Sequence, residues 1–129
     1  MSLTVSWSAA NDDTPCLIQD GDLSWTSDIG RESGGSGDFP DPHQLLDSAL
    51  GACTALTLQL YAKRKAIPLE AIQITITHQE EPGLYQLRRG IHLAGNLTEE
   101  QRADLLRIAN KCPIHKVLSG QIALTTELA

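Results

Sequence analysis

Between Pro42 and Lys65 the chain carries more apolar side chains than one face of a helix can hold. Leu45, Ala49, Ala52, Cys53, Leu56 and Leu60 make one stripe at helical spacing, and Leu46, Leu50, Leu58 and Tyr61 make a second. A helix that is apolar almost all round has to be covered on most sides. Asp47, Ser48, Thr54, Thr57 and Gln59 interrupt it too often for a membrane span, which needs roughly 20 predominantly apolar residues. The pattern therefore predicts a buried central helix whose second apolar face meets another subunit, that is, a homodimer. Its start is marked by Asp41, whose carboxylate can cap free amides, followed by Pro42, which suits the first helical position.

The rest of the chain supplies what such a helix packs against. Leu3, Val5 and Trp7 alternate with polar residues, and Leu23 and Trp25 follow the turn-forming pair Asp20-Gly21, so residues 3–26 read as short antiparallel strands. Residues 27–41 are rich in Gly, Ser, Asp and Pro and predict a mobile loop of the kind that borders active sites. Ile72, Ile74 and Ile76 alternate with Gln73, Thr75 and Thr77, and Glu81-Pro82-Gly83 turns the chain into a second strand through Tyr85, Leu87, Arg89, Ile91 and Leu93. Arg89 shares parity with the apolar residues unless Gly90 marks a bulge. Thr98 and Gln101 form a capping box for a helix burying Leu105, Leu106, Ile108 and Ala109, and a last strand is expected with Ile122, Leu124 and Leu128 on one side. The fold class is α+β, with mainly antiparallel sheet packed on helices. At 129 residues and 41% hydrophobic content, one domain over 1–129 is expected.

A net charge of -6 argues against nucleic acid or an anionic membrane as partner, because both reward clustered Lys and Arg. Small molecules or proteins fit better. Residues 1–7 lack the basic start and apolar core of a secretory signal, which predicts a cytoplasmic protein. There, three cysteines point to reactive, metal-binding or buried thiols and not to a disulfide framework.

Cys112 precedes Pro113, so it is expected at the N-cap of a new helix, where free amides stabilise a thiolate and Lys111, His115 and Lys116 add donors or positive charge. The structural alternative is a buried cysteine between two helices. Cys53, in mid-helix beside Gly51 and Ala52, looks structural by itself, since an apolar site penalises charge on sulfur. A reactive Cys53 needs a cation from elsewhere: Arg89 and Arg31 are the candidates, although a surface or salt-bridge role is the commoner one for either arginine taken in isolation. His43 is ten helical residues away, about 15 Å along the axis, and could contribute only across a dimer interface or through a helix break. Cys112 and His115 have a zinc-compatible spacing, with Cys53 or His78 as further ligands, but a structural site wants four. Cys16 fits no motif and reads as a packed or surface thiol.

The run Asp41-Pro42-His43-Gln44-Leu45-Leu46, continuing to Leu50-Gly51-Ala52-Cys53-Thr54-Ala55-Leu56-Thr57-Leu58, resembles the first signature of the OsmC/Ohr superfamily, named for osmotically induced and organic hydroperoxide resistance proteins. Gly95-Asn96-Leu97-Thr98 through Lys111-Cys112-Pro113-Ile114-His115-Lys116-Val117-Leu118 resembles the stretch around its second cysteine. The resemblance covers about residues 38–126. It implies an OsmC-like fold, with antiparallel sheets on a long central helix, formed as an intertwined homodimer whose two active sites lie at the subunit interface. It also implies a thiol-dependent peroxidase without cofactor or metal, acting in oxidative stress defence. Cys53 would attack an organic hydroperoxide or hydrogen peroxide and become a sulfenic acid, Cys112 would condense with it, and an external dithiol would reduce the disulfide.

Two positions depart from that pattern. Strongly active relatives place an acidic residue where this chain has His43, and they hold an arginine in N-terminal strands where residues 1–26 contain none. The chain is accordingly more similar to the smaller OsmC-like branch. A non-enzymatic dimer that binds an apolar ligand, with sensing or inert thiols, is the alternative.

Overall fold

The computed structural model describes residues 2–129. The elements are β1 (Thr4–Ser6), β2 (Cys16–Asp20), β3 (Leu23–Ser27), α1 (Pro42–Arg64), β4 (Leu69–Glu81), β5 (Leu84–Gly95), α2 (Glu99–Ala109) and α3 (Pro113–Ser119). The chain divides into two compact units, one up to Leu46 and one from Asp47 onward. Helices and two antiparallel sheets together make the α+β class expected from the sequence.

In the first unit β1, β2 and β3 form an antiparallel sheet in that order, with the turn at Gly21 where the sequence places it. The glycine-rich segment after β3 is a loop, as expected, but it is organised around a carboxylate. Asp28 is 4% exposed and accepts from the Thr14 hydroxyl at 2.5 Å, the Ile29 amide at 2.8 Å and the Ser36 amide at 3.1 Å. The Thr14 hydrogen bond is the chief cause holding its pKa below the ordinary carboxylate value, against the opposing effect of burial. At the end of this unit Asp41 Oδ1 accepts from the Gln44 amide at 2.8 Å while Gln44 Oε1 accepts from the Asp41 amide at 2.9 Å, a reciprocal cap that starts α1.

The second unit holds the core. β4 and β5 make one long hairpin, paired from Leu69 to Gly95, with Pro82 and Gly83 at its tip. Leu58 and Ala62 of α1 pack on Leu105 and Ala109 of α2, and Ile67, Ile72, Ile91 and Leu93 close around them. α1 ends in a Schellman motif: the Ile67 amide reaches the Ala62 carbonyl at 2.8 Å and the Ala66 amide reaches that of Lys63 at 3.3 Å, with Ala66 left-handed at φ 54°. The capping box of α2 forms between Thr98 and Gln101 as the sequence predicts. Asp47 accepts from Tyr85 Oη at 2.8 Å and pairs with His78, fastening the hairpin to α1.

Three expectations need correction. The buried stripe of α1 is Leu50, Thr54, Leu58 and Ala62, so a polar residue takes a core position, while Leu46, Leu56 and Leu60 face outward. Thr54 tolerates burial because its hydroxyl donates to the Leu50 carbonyl one turn back, at 2.7 Å. Leu106 turns out of the core and is 59% exposed. Residues 121–129 form no strand, and Leu124 and Leu128 are almost wholly exposed. Alternation fixes which face a strand would bury, but a strand also needs an edge to pair with.

By length and composition α1 is apolar enough to cross a membrane, with a mean hydropathy of 1.2. Leu58 and Ala62 of its buried stripe belong to the core of the second unit.

Candidate active site around Cys112

β5 aims Arg89 into the second unit. Arg89 pairs with Ile76 in unbroken register, and the irregularity in this hairpin falls between Leu69 and Ala71, so Gly90 makes no bulge and Arg89 keeps the inward parity of Leu87 and Ile91. A cation so placed must find acceptors, because a partly buried charge loses its hydration.

Its four terminal N–H groups find them. Nη1 donates to Thr54 Oγ1 at 3.1 Å and, at the long distance of 3.9 Å, to Cys112 Sγ. Nη2 donates to Asn110 Oδ1 at 2.9 Å and meets His115 Nδ1 at 3.2 Å. Since a guanidinium only donates, His115 Nδ1 is the acceptor and the ring proton sits on Nε2. None of these four partners is a carboxylate. The positive charge therefore faces neutral acceptors and one sulfur.

Cys112 is fully buried and caps α3, with Pro113 in the first helical position as the sequence predicts. The His115 amide donates to Sγ at 3.3 Å. Thr54 Oγ1 lies 3.9 Å from the same sulfur. With its one proton committed to Leu50, that oxygen is an acceptor for Arg89 and for the Cys112 thiol. The sulfur thus has an amide and a guanidinium donating to it.

Cys53 is a half-buried free thiol, as is Cys16, whose sulfur is 4.0 Å from the Thr14 carbonyl. Adjacent helical residues point about 100° apart, so Cys53 lies on the flank of α1 between the stripe that carries Thr54 and the outward stripe of Leu56 and Leu60. Arg89, expected as a helper for Cys53, directs its hydrogen bonds to Thr54, Asn110, His115 and Cys112 instead. Arg31 lies in the first unit, where its Nε donates to the Ser36 carbonyl at 3.1 Å. His43 occupies the first turn of α1. His78 is paired with Asp47, and among the described residues no three Cys, His, Asp or Glu side chains gather as metal ligands.

Thr54 and Asn110 escaped the sequence reading. Thr54 stood among the polar interruptions of the helix, although a threonine four residues after a buried leucine has a carbonyl within reach. Asn110 carries no signal beyond its proximity to Cys112. Beside this cluster is a cavity of about 400 Å³, with Arg89, Asn110 and His115 on its polar wall and Leu87, Leu106 and Leu118 on its apolar one.

Comparison with known proteins places this geometry in a family. No curated protein matches the sequence. Among solved structures, an OsmC-like protein from Mycoplasma pneumoniae superposes with a TM-score of 0.75 at 19% identity, over 92% of this chain and 86% of that one. An organic hydroperoxide resistance protein OsmC from Legionella pneumophila gives 0.64 at 23% identity, over 92% and 88%. The organic hydroperoxide resistance protein OhrB of Bacillus subtilis gives 0.60 at 20% identity, over 92% and 90%. These likenesses establish the fold. The profile of the OsmC-like protein family matches residues 35–127, which takes in α1, the β4–β5 hairpin, α2 and the Cys112 cap, and the chain belongs to that family.

Proposed function

We propose that the protein is a thiol-dependent peroxidase of oxidative stress defence, acting in the cytoplasm on organic hydroperoxides or hydrogen peroxide through Cys53 and Cys112. The observation that carries this reading is the donor set on Cys112, in a chain whose family includes organic hydroperoxide resistance proteins. Cys53 attacks the terminal peroxide oxygen, the O–O bond breaks, alcohol or water leaves, and the sulfur is left as a sulfenic acid. The Cys112 sulfur then displaces that oxygen as water, and an external dithiol reduces the disulfide.

The working unit is a homodimer. Supporting this are the outward apolar stripe of α1, where Leu56 and Leu60 are 55% and 66% exposed, and the uncovered Ile122, Leu124 and Leu128 near the C-terminus. Exposed leucines in register along one helix are an association surface.

The test is to treat reduced protein with cumene hydroperoxide or hydrogen peroxide, follow peroxide loss and map disulfides by mass spectrometry. A Cys53–Cys112 bond with peroxide consumed, and neither in Cys53→Ser, is the expected result. Unchanged peroxide and no such bond would instead favour a non-enzymatic ligand-binding dimer, a reading to which the apolar wall of the 400 Å³ cavity lends weight.

A further inference from the structure

We infer that Arg89 is a positioning residue for Cys112, one that stabilises the reduced form of the Cys53–Cys112 pair and so sets how readily the disulfide is reduced, while leaving the attack of Cys53 on peroxide to other groups. The inference rests on the two-cysteine reading above and adds to it the regulation of its reductive half.

The two redox states of Cys112 differ in what its sulfur can accept. A reduced Cys112 sulfur is a good acceptor for the Arg89 Nη1 hydrogen and the His115 amide, whereas a disulfide sulfur is a poor one. Both contacts are worth more in the reduced state. Stabilising the reduced state makes a disulfide more oxidising, hence easier for a dithiol to reopen. Arg89 is suited to this because Thr54, Asn110 and His115 hold its other terminal hydrogens and no carboxylate among those partners neutralises it. In closure, the bond formed is Cys53 Sγ to Cys112 Sγ and the bond broken is the sulfenic S–O. The oxygen leaves as water with the Cys112 thiol proton, so no further oxidant is required.

The experiment uses full-length protein carrying Cys16→Ser, so that two thiols remain, equilibrated in dithiothreitol buffers of graded redox poise. Arg89→Met should render the disulfide about tenfold harder to reduce, a potential ~30 mV more negative, with Arg89→Lys recovering part of the change. Stopped-flow mixing with cumene hydroperoxide then follows Cys53 sulfenic acid formation separately from disulfide closure, so that a defect in either step is assigned to its own sulfur. If Arg89→Met does not fold, Asn110→Ala and His115→Phe, which leave the arginine in place but unsupported, should each move the potential in the same direction. An unchanged potential in the folding variants overturns the inference, as does a loss confined to the first oxidation, which would assign Arg89 to Cys53. The redox titration needs no peroxide. A normal titration without peroxide turnover therefore rejects the peroxidase and leaves the inference standing, while parent protein that forms no disulfide in any buffer rejects both.

Discussion

Thr54 Oγ1 lies 3.9 Å from Cys112 Sγ, a contact between residues 58 positions apart that joins the middle of α1 to the cap of α3. The same oxygen accepts from Arg89 at 3.1 Å and its proton goes to Leu50. Thr54→Val replaces the hydroxyl with a methyl of similar size and leaves an Arg89 hydrogen without its acceptor. The expected loss is about 1–3 kcal/mol, the cost of an unsatisfied buried donor. Urea unfolding should show a lower midpoint with an unchanged slope, and Thr54→Ser should restore most of it. A valine variant as stable as the parent would mean that the guanidinium finds another acceptor at no cost.

The proposed homodimer makes a separate demand on α1. Leu60 is 66% exposed in the single chain, two positions from the fully buried Leu58. A glutamate at Leu60 leaves the core untouched but puts an unpaired charge into a desolvated contact. Sedimentation equilibrium should find the parent dimeric and Leu60→Glu at least tenfold weaker in association, about 1.4 kcal/mol or more. A parent that sediments as a monomer at all concentrations would remove the dimer from the proposal.

What the sequence disclosed and what it withheld divide along a physical line. The start of α1, the Thr98 capping box and the Cys112 cap were legible because each is decided within four residues by backbone chemistry. The inward parity of Arg89 was legible too, since strand period needs only neighbours in sequence. Which sulfur Arg89 serves was not, because that depends on α1 presenting Thr54, and not Cys53, to the inside of the hairpin. The alternation at Ile122 and Leu124 misled for a related reason, as a strand exists only with a partner edge. Asp28 stayed hidden inside a segment whose composition says loop, although its hydrogen bonds give that loop its form.

The C-terminus of α1 offers a stability test remote from the thiols. Ala66 closes the Schellman motif in the left-handed region at φ 54°, where a Cβ costs roughly 1–2 kcal/mol. Glycine pays no such penalty, although it loses more entropy on folding. Ala66→Gly should therefore raise the unfolding free energy by up to about 1 kcal/mol, read from urea unfolding, without altering thiol chemistry. A destabilised variant would show that unfolded-chain entropy outweighs the strain.

Asp28 supplies the last test, one of pH. Its folded-state pKa is depressed, first by the Thr14 hydroxyl and then by the Ser36 and Ile29 amides, so the carboxylate form is bound more tightly folded than unfolded. Its contribution to stability is therefore fully present above the ordinary carboxylate pKa of about 4 and is lost as pH falls through the lower folded value. Thermal unfolding of the parent should lose stability below about pH 4 from this source, and Asp28→Asn should be less stable at neutral pH while giving up that part of the acid dependence. The asparagine nitrogen cannot accept from the Ser36 amide as carboxylate oxygen does, so the loop from Ile29 to Ser36 should exchange its amide hydrogens faster in the variant. Identical acid profiles for the two proteins would show that the carboxylate is held no more tightly in the folded chain than in water.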